Sequence, residues 1–398
     1  MKEICIIGGG AAGLVTAITA AKKGKKVTII ERNEKCGKKI LITGGGKCNY
    51  FNENQDLSKY HSTNENLIKE IITKENIKKV KDFFKNLGII PKIIDGYYYP
   101  FSKTAITIQN ALVEEAKKLN IEIIYNVKVD KIIKKDCFII NPDKEKIKAK
   151  KIVICSGSKA APKTGSDGSG YDLAMSFNHK IIKPNPALIS LKGNKKYYKK
   201  WSGIRTEAIL KLYEEEKFIK EEKGELQLTD QGISGIVTFN LSNLLTQNLK
   251  KHKEIIYINF LPFTKEIDNL FKTNKNISEV LERILNYKLV NILIKESKIS
   301  TNNYDKLSKK EKNNLLNTFT NYKFEIIETG SFDKAQVCQG GVPLNEIDTK
   351  TMESKKEKNL YIAGEILDIN GDCGGYNLTF AWLSGILVGE NIWLELDK

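Results

Sequence analysis

Apolar positions first form a short buried strand over Lys2 to Ile7, break at Gly8 to Gly13, take a helical spacing from Leu14 to Lys23, and return to a strand from Lys25 to Glu31. The period changes from strand to helix and back, which predicts a βαβ unit. Helical spacing recurs over Ile77 to Leu87, ended by Gly88, and over Thr104 to Leu119. Between them Gly96 to Phe101 predicts an aromatic turn whose tyrosines are structural, and residues up to Asn76 look polar and peripheral. Ile121 to Val129 and Cys137 to Ile140 predict strands of a small β layer, and Lys151 to Cys155 a fully apolar strand that leaves through Ser156 and Gly157.

From Ala187 the texture changes. Leu188 to Leu191, Ala208 to Tyr213, Gly224 to Leu228 and Glu254 to Phe260 predict short strands, with a mixed stretch over Gly235 to Thr246 and a Lys/Asn-rich helical segment over Lys265 to Asn317. After Thr329 come a strand over Ala335 to Val342, another over Asn359 to Ala363 that stops at Gly364 and Glu365, and a glycine turn at Gly371 to Asn377 leading into a helix from Leu378 to Leu394. This second glycine turn at a helix start implies that the chain returns to complete the domain it began. The expected fold is α/β: a discontinuous Rossmann-like domain over 1–187 and 331–398, interrupted by a β-rich module over 188–330 whose helical part covers 264–320.

Four bulk properties narrow the function. At 398 residues the chain is long enough for more than one core. No apolar run reaches the length of a membrane span and no signal-peptide pattern opens the chain, so a cytoplasmic location is expected. The seven cysteines contain no Cys-x-x-Cys pair, which argues against a disulfide framework and a zinc site. The net charge of +17 would attract polyanions, yet only Arg32, Arg205 and Arg283 are arginines and the lysines are spread throughout. Nucleic acid is therefore not the expected partner, because base recognition leans on arginine.

The candidate chemistry lies in the glycine turns. Gly8, Gly10 and Gly13 supply Gly-x-Gly-x-x-Gly: one glycine for the turn, one for pyrophosphate approach and one for close helix packing. The helix beyond Ala11 and Ala12 aims its free N–H groups at the phosphates. Glu31, about 20 residues on, is placed for an adenosine ribose and would repel a 2′-phosphate, so FAD or NAD is expected rather than NADP. Thr43-Gly44-Gly45-Gly46-Lys47-Cys48-Asn49 forms either a ligand-facing loop or a linker. Cys48 is the one side-chain candidate for redox work, against a packing role, while His61, His179 and His252 have no motif partner, so no general base is named. No metal site is expected.

Together these segments resemble the bacterial BaiN-like FAD-dependent oxidoreductases, also labelled the aminoacetone oxidase family. The resemblance rests on Gly8 to Gly13, Thr43 to Asn49, Gly165 to Tyr171, Gly232 to Gly235, Thr351 to Lys355, Ala363 to Asp368 and Gly374 to Asn377. It implies a split FAD domain with an inserted β-barrel and helical cap, and tightly bound FAD. Cofactor contacts are expected from Gly8, Gly10, Ala11, Ala12, Gly13, Glu31, Arg32, Lys39, Thr43 to Asn49, Val129, Ser156, Gly157, Gly364, Glu365, Gly375, Tyr376, Asn377 and Leu378. The implied activity is hydride transfer through flavin N5 to a small unsaturated or carbonyl substrate, with NAD(P)H as transient donor. Amine oxidation by oxygen and an RNA-modifying role are the alternatives. Tyr97 and Lys47 stand where the family has Arg, Asp230 where it often has His, and Cys338 and Cys373 where it often has Thr, so substrate identity does not carry over.

Overall fold

The structure is a computed structural model that describes residues 1–245, 254–263 and 267–393. Thr246, His252, Lys265 and Leu394, each named above, lie outside the described residues. The chain divides into two compact units, Met1–Ala187 with Phe332–Lys398, and Leu188–Ser331.

In the first unit, strand β1 (Lys2–Ile7) runs through Gly8–Gly10 into helix α1 (Ala11–Lys22) and returns as β2 (Val27–Ile30). Both strands are parallel, with Ile4 to Ile7 against Val27 to Ile30. β3 (Glu122–Ile124) continues the sheet beyond β2, and β4 (Ile147–Ile154) lies on the other side of β1. The first half of β4 alternates and exposes Lys148 and Lys150, while Ile152, Val153 and Ile154 are all buried. That change fits its pairings. Residues Ile147 to Ala149 meet the antiparallel strand Phe138–Ile140, and Ile152 to Ile154 meet the parallel strand β5 (Leu360–Ile362), where both faces are covered. Segment Glu122–Ile124 is thus an edge of the main parallel sheet and not part of a separate small layer. A strand of three residues carries no signal of its direction or partner.

Two other expectations change. Gly96 to Phe101 is half of a hairpin, with Pro91–Ile94 paired to Tyr97–Pro100. The segment before Asn76 is not peripheral: Tyr60, Ile68, Ile71 and Ile72 join the core around α1. The helix that closes the unit, α2 (Tyr376–Asn391), has Tyr376 and most positions from Thr379 to Gly389 buried, so an apolar stripe is absent because nearly every side faces protein.

Among the described residues the second unit holds an antiparallel sheet of seven strands. Its segment Tyr322–Thr329 pairs through Tyr322–Glu325 with one end of the strand order and through Glu328–Thr329 with the other. Backbone bonds from Ile326 N–H to Glu254 O and from Ile327 N–H to Lys192 O continue that bridge, so the sheet closes as a barrel. Its core stacks Tyr198 on Trp201, centroids 4.5 Å apart. The adjoining Lys195, Lys196, Lys199 and Lys200 are exposed, a solvated face over buried rings. Helices Ile277–Glu282, Tyr287–Ser297 and Lys309–Thr320 complete the unit.

Candidate functional site

The first glycine turn is a cradle that side chains cannot enter. A Cβ on Gly13 would lie 1.9 Å from Gly8 O, and one on Gly8, at φ +100°, would lie 2.5 Å from Cys155 O. Gly10 differs: a Cβ there meets nothing within 4 Å. It caps α1 without any side-chain hydrogen bond, and the first turn of α1 has no acidic residue. The N–H groups of this turn are therefore left for a ligand. Glu31 is 6% exposed, and its carboxylate accepts from Gly9 N–H at 2.8 Å and from Asn33 N–H and Nδ2 at 2.8 and 2.7 Å. A carboxylate has about four acceptor positions, so room for a ribose hydroxyl remains.

Arg32 has protein partners of its own. Its Nη1 pairs with Asp167 at 2.6 Å and donates to Gly165 O at 3.3 Å, which ties down the loop before helix Ser169–Met175. Partial burial works against the Asp167 charge, but the Arg32 and Ser169 donors outweigh it and hold the carboxyl down to about 2. Val129 sits just past β3, where Val127 N–H donates to Glu31 O.

The glycine-rich loop Ile40–Gly46 is a 3₁₀ turn kinked at Thr43, Gly44 and Gly45, with Gly44, Gly45 and Gly46 at φ +55°, +63° and +83°. Lys39, just before it, ion-pairs with Glu365 at 2.5 Å and donates to Ala160 O. Ser158 Oγ donates to the other oxygen of Glu365 at 2.9 Å. The exits of β4 and β5 are thereby joined to the loop, and Glu365 acts on its neighbours more than on open space. Ser156 and Gly157 lie at the same β4 exit, and Ser156 Oγ is buried with no hydrogen-bond partner.

Helix α2 crosses α1 at very close range. A Cβ on Gly385 would lie 2.6 Å from Ala12 O, and one on Gly389 would lie 2.5 Å from Thr19 Cβ. Numbers rise together along both helices, so they run in the same sense, and α2 starts about 12 Å beyond the start of α1. Gly364 is pinned into this crossing by its N–H bond to Ser384 Oγ at 3.0 Å. Gly375 caps α2 at φ +93° with no side-chain hydrogen bond, and again no acidic residue follows in the first turn. A Cβ there would meet Asn49 Oδ1 at 2.9 Å, and that oxygen is buried without a partner. The Asn377 side chain closes a ring with Gly371, donating to its O at 2.7 Å and accepting from its N–H at 2.8 Å, so it shapes the turn. Tyr376 is buried edge-on against Tyr60, and Leu378 is half-buried.

These features fit FAD. Two uncapped helix ends about 12 Å apart along their axes suit a pyrophosphate and the pyrimidine edge of a flavin. The orphaned Asn49 Oδ1 lies beside Gly375 at the start of α2, a polar atom left for a ligand there. When bound, FAD supplies the capacity to take and give a hydride at N5.

Cys48 is not set up for redox chemistry. It is fully buried at φ +55°, and burial pushes its thiol up to about 12 despite a hydrogen bond with Thr43. The thiolate, which is the reactive form, is absent at neutral pH. Cys48→Ser is expected to keep its flavin and full turnover; loss of turnover with flavin content intact would restore a chemical role.

His61 and His179 have hydrogen-bond partners that no sequence motif marks. His179 is buried between Glu346 Oε2 at 2.9 Å and Ser354 Oγ at 2.7 Å, and its burial lowers its pKa in spite of Glu346. His61 Nε2 lies 2.8 Å from Asp372 Oδ1, across 311 residues of sequence. Among the described residues no group of His, Cys, Asp and Glu is arranged to hold a metal, and no helix is long and apolar enough to cross a membrane.

Comparison with known proteins gives the family. The model of the HI0933-like protein Rossmann domain matches residues 2–391. The chain is 36% identical to a 3-dehydro-bile acid delta(4,6)-reductase of Clostridium scindens, over 98% of each protein. It is 28% identical to a ribosomal RNA dihydrouridine synthase of Haemophilus influenzae, over 96% of each. Among solved structures, a 3-ketosteroid-delta4-(5alpha)-dehydrogenase from Rhodococcus jostii shares the fold, with a TM-score of 0.51 at 13% identity over 98% of this chain and 96% of that one. The chain belongs to the HI0933-like Rossmann family, that of the BaiN-like FAD-dependent oxidoreductases its motifs resemble.

Proposed function

We propose that this protein reduces a carbon–carbon double bond conjugated to a carbonyl, the hydride coming through flavin N5 and the electrons entering from NAD(P)H or another donor. The observation that carries the reading is the uncapped start of α2 at Gly375, where the residues can stabilise negative charge. Supporting it, the names of two full-length relatives share one chemistry. A 3-dehydro bile acid with 4,6 double bonds and a uracil ring are both conjugated carbonyl compounds, and both are reduced at carbon.

Each group has a separate task. The first turn of α1 and Gly10 bind the diphosphate, and Glu31 holds the ribose. Backbone N–H groups at Gly375 to Asn377 polarise the pyrimidine edge. Lys39, Glu365 and Ser158 lock the strand exits so that these parts stay in register. The sequence holds no second Gly-x-Gly-x-x-Gly after a strand, so a nicotinamide donor would dock transiently and leave before the substrate enters. A tightly bound FAD with exchangeable small substrates is the expected behaviour.

Anaerobic stopped-flow mixing tests this. NADH or NADPH is expected to bleach the bound flavin, and cyclohexenone to restore its colour. Bleaching by an amine donor alone, with reoxidation by oxygen and not by cyclohexenone, would establish the oxidase alternative instead.

A further inference from the structure

Saturating a conjugated double bond consumes a hydride and a proton, and nothing in the glycine turns donates a proton to carbon. The two-stranded ribbon Tyr60–His61 and Asn370–Gly371 bears groups suited to that task. His61 lies directly opposite Asn370, and Tyr60 opposite Gly371. Side chains alternate across a ribbon, so Lys59, His61, Asn370 and Asp372 share one face, while Tyr60 turns to the other and packs on Tyr376 at the start of α2. The polar face is thereby fixed beside the Gly371–Gly375 turn.

Its internal arrangement is that of an oriented acid. Asp372 is 1% exposed at its side chain, takes His61 Nε2 on one oxygen at 2.8 Å and Lys59 Nζ on the other at 3.5 Å. A carboxylate accepts, so Nε2 carries hydrogen and the imidazole is held in one orientation. His61 remains 22% exposed, and its Nδ1 has no hydrogen-bond partner among the described residues. Beside it Asn370 is 4% exposed, yet its Nδ2 donates to nothing among the described residues. A buried amide donor without an acceptor is costly, and a ligand carbonyl oxygen would relieve it.

Resting on the reading above, we propose that His61, held by Asp372, is the acid that protonates the substrate, with the Asn370 amide polarising its carbonyl. The hydride arrives at the carbon remote from the carbonyl, and the π pair shifts toward the carbonyl oxygen accepting from Asn370. His61, carrying hydrogen on both ring nitrogens, then passes its Nδ1 proton to the carbon next to the carbonyl and is left neutral with hydrogen on Nε2, and water returns the proton. Asp372 and Lys59 are the charged groups on this face of the ribbon.

The test uses holoenzyme reduced with dithionite and mixed anaerobically with cyclohexenone. His61→Gln is expected to slow flavin reoxidation about 100-fold, the size of a typical general-acid contribution, with flavin content and thermal unfolding unchanged. Asp372→Asn is expected to show a smaller loss. Only three histidines are present, so the His61 ring resonances can be assigned, and cyclohexenone is expected to shift them in the oxidised wild type. Equal reoxidation in wild type and His61→Gln would overturn the assignment while leaving the reductase reading intact. Slower reoxidation with unshifted resonances would make His61 merely structural. A wild type that cyclohexenone does not reoxidise would remove the conjugated-substrate reading, and this assignment with it. Should His61→Gln fail to fold, Asp372→Asn and the resonance shift decide the matter.

Discussion

Gly10→Ala is expected to leave the apoprotein as stable as the wild type and to weaken FAD binding about 100-fold, which is about 2.7 kcal/mol. The two halves of that expectation come from separate observations. A Cβ on Gly10 meets nothing within 4 Å, and its φ of −81° suits any residue. Alanine is a poorer helix cap than glycine, but it also restricts the unfolded chain, and these small effects oppose each other. The open space beside Gly10 is where the diphosphate approaches the backbone, so the methyl group is felt only by the ligand. Gly13→Ala is the contrast. Its Cβ would sit 1.9 Å from Gly8 O, backbone against backbone, and β1 and α1 must separate to admit it. A loss of about 3 kcal/mol is expected with or without cofactor. Thermal unfolding of flavin-stripped protein and fluorescence titration with FAD measure both. If Gly10→Ala proved as unstable as Gly13→Ala, the face it presents would be structural and the diphosphate would have to lie elsewhere.

That contrast marks what a sequence can show. The βαβ unit was legible because its information is local: strand, three spaced glycines, helix, strand and Glu31 occur within Lys2 to Glu31. β5 and the second half of β4 were legible because a parallel strand covered on both faces is apolar on both. Segment Tyr50 to Asn76 was misjudged for the opposite reason. Its composition is polar, but Tyr60, Ile68, Ile71 and Ile72 are buried by partners far away in the chain. The pairing of His61 with Asp372 spans 311 residues, and no local period encodes it. The same holds for Lys39 with Glu365, separated by 326 residues. Each of these residues is ordinary in its own neighbourhood. Only the return of the chain after Phe332 makes them meet.

The C-terminal helix shows a signal that was present yet unused. Gly385 and Gly389 are four residues apart, so they lie on one face of α2. The expectation for that stretch was simply a helix. In the fold these glycines make the surface on which α1 rests, against Ala12, Thr16 and Thr19. Helix propensity would favour alanine at both positions, which leaves close approach as the reason for glycine.

Gly385→Leu is therefore expected to cost about 3 kcal/mol and to lower the unfolding temperature by roughly 6–12 °C. The added Cβ would lie 2.6 Å from Ala12 O and 3.2 Å from Thr16 Oγ1, and neither can withdraw, since Ala12 O already accepts from Thr16 Oγ1 within α1. The helices must move apart instead. That displacement carries the start of α2 with it, together with Gly364, whose N–H is held by Ser384 next door. Flavin retention should fall along with stability, measured as the ratio of flavin to protein absorbance after gel filtration. Leu387→Met, a swap of similar volume on the same helix, is the control and should cost less than about 1.5 kcal/mol with flavin retained. If Gly385→Leu kept both its stability and its colour, the two helix starts would not be held in register by this crossing, and the placement of pyrophosphate and flavin at their two ends would lose its mechanical basis.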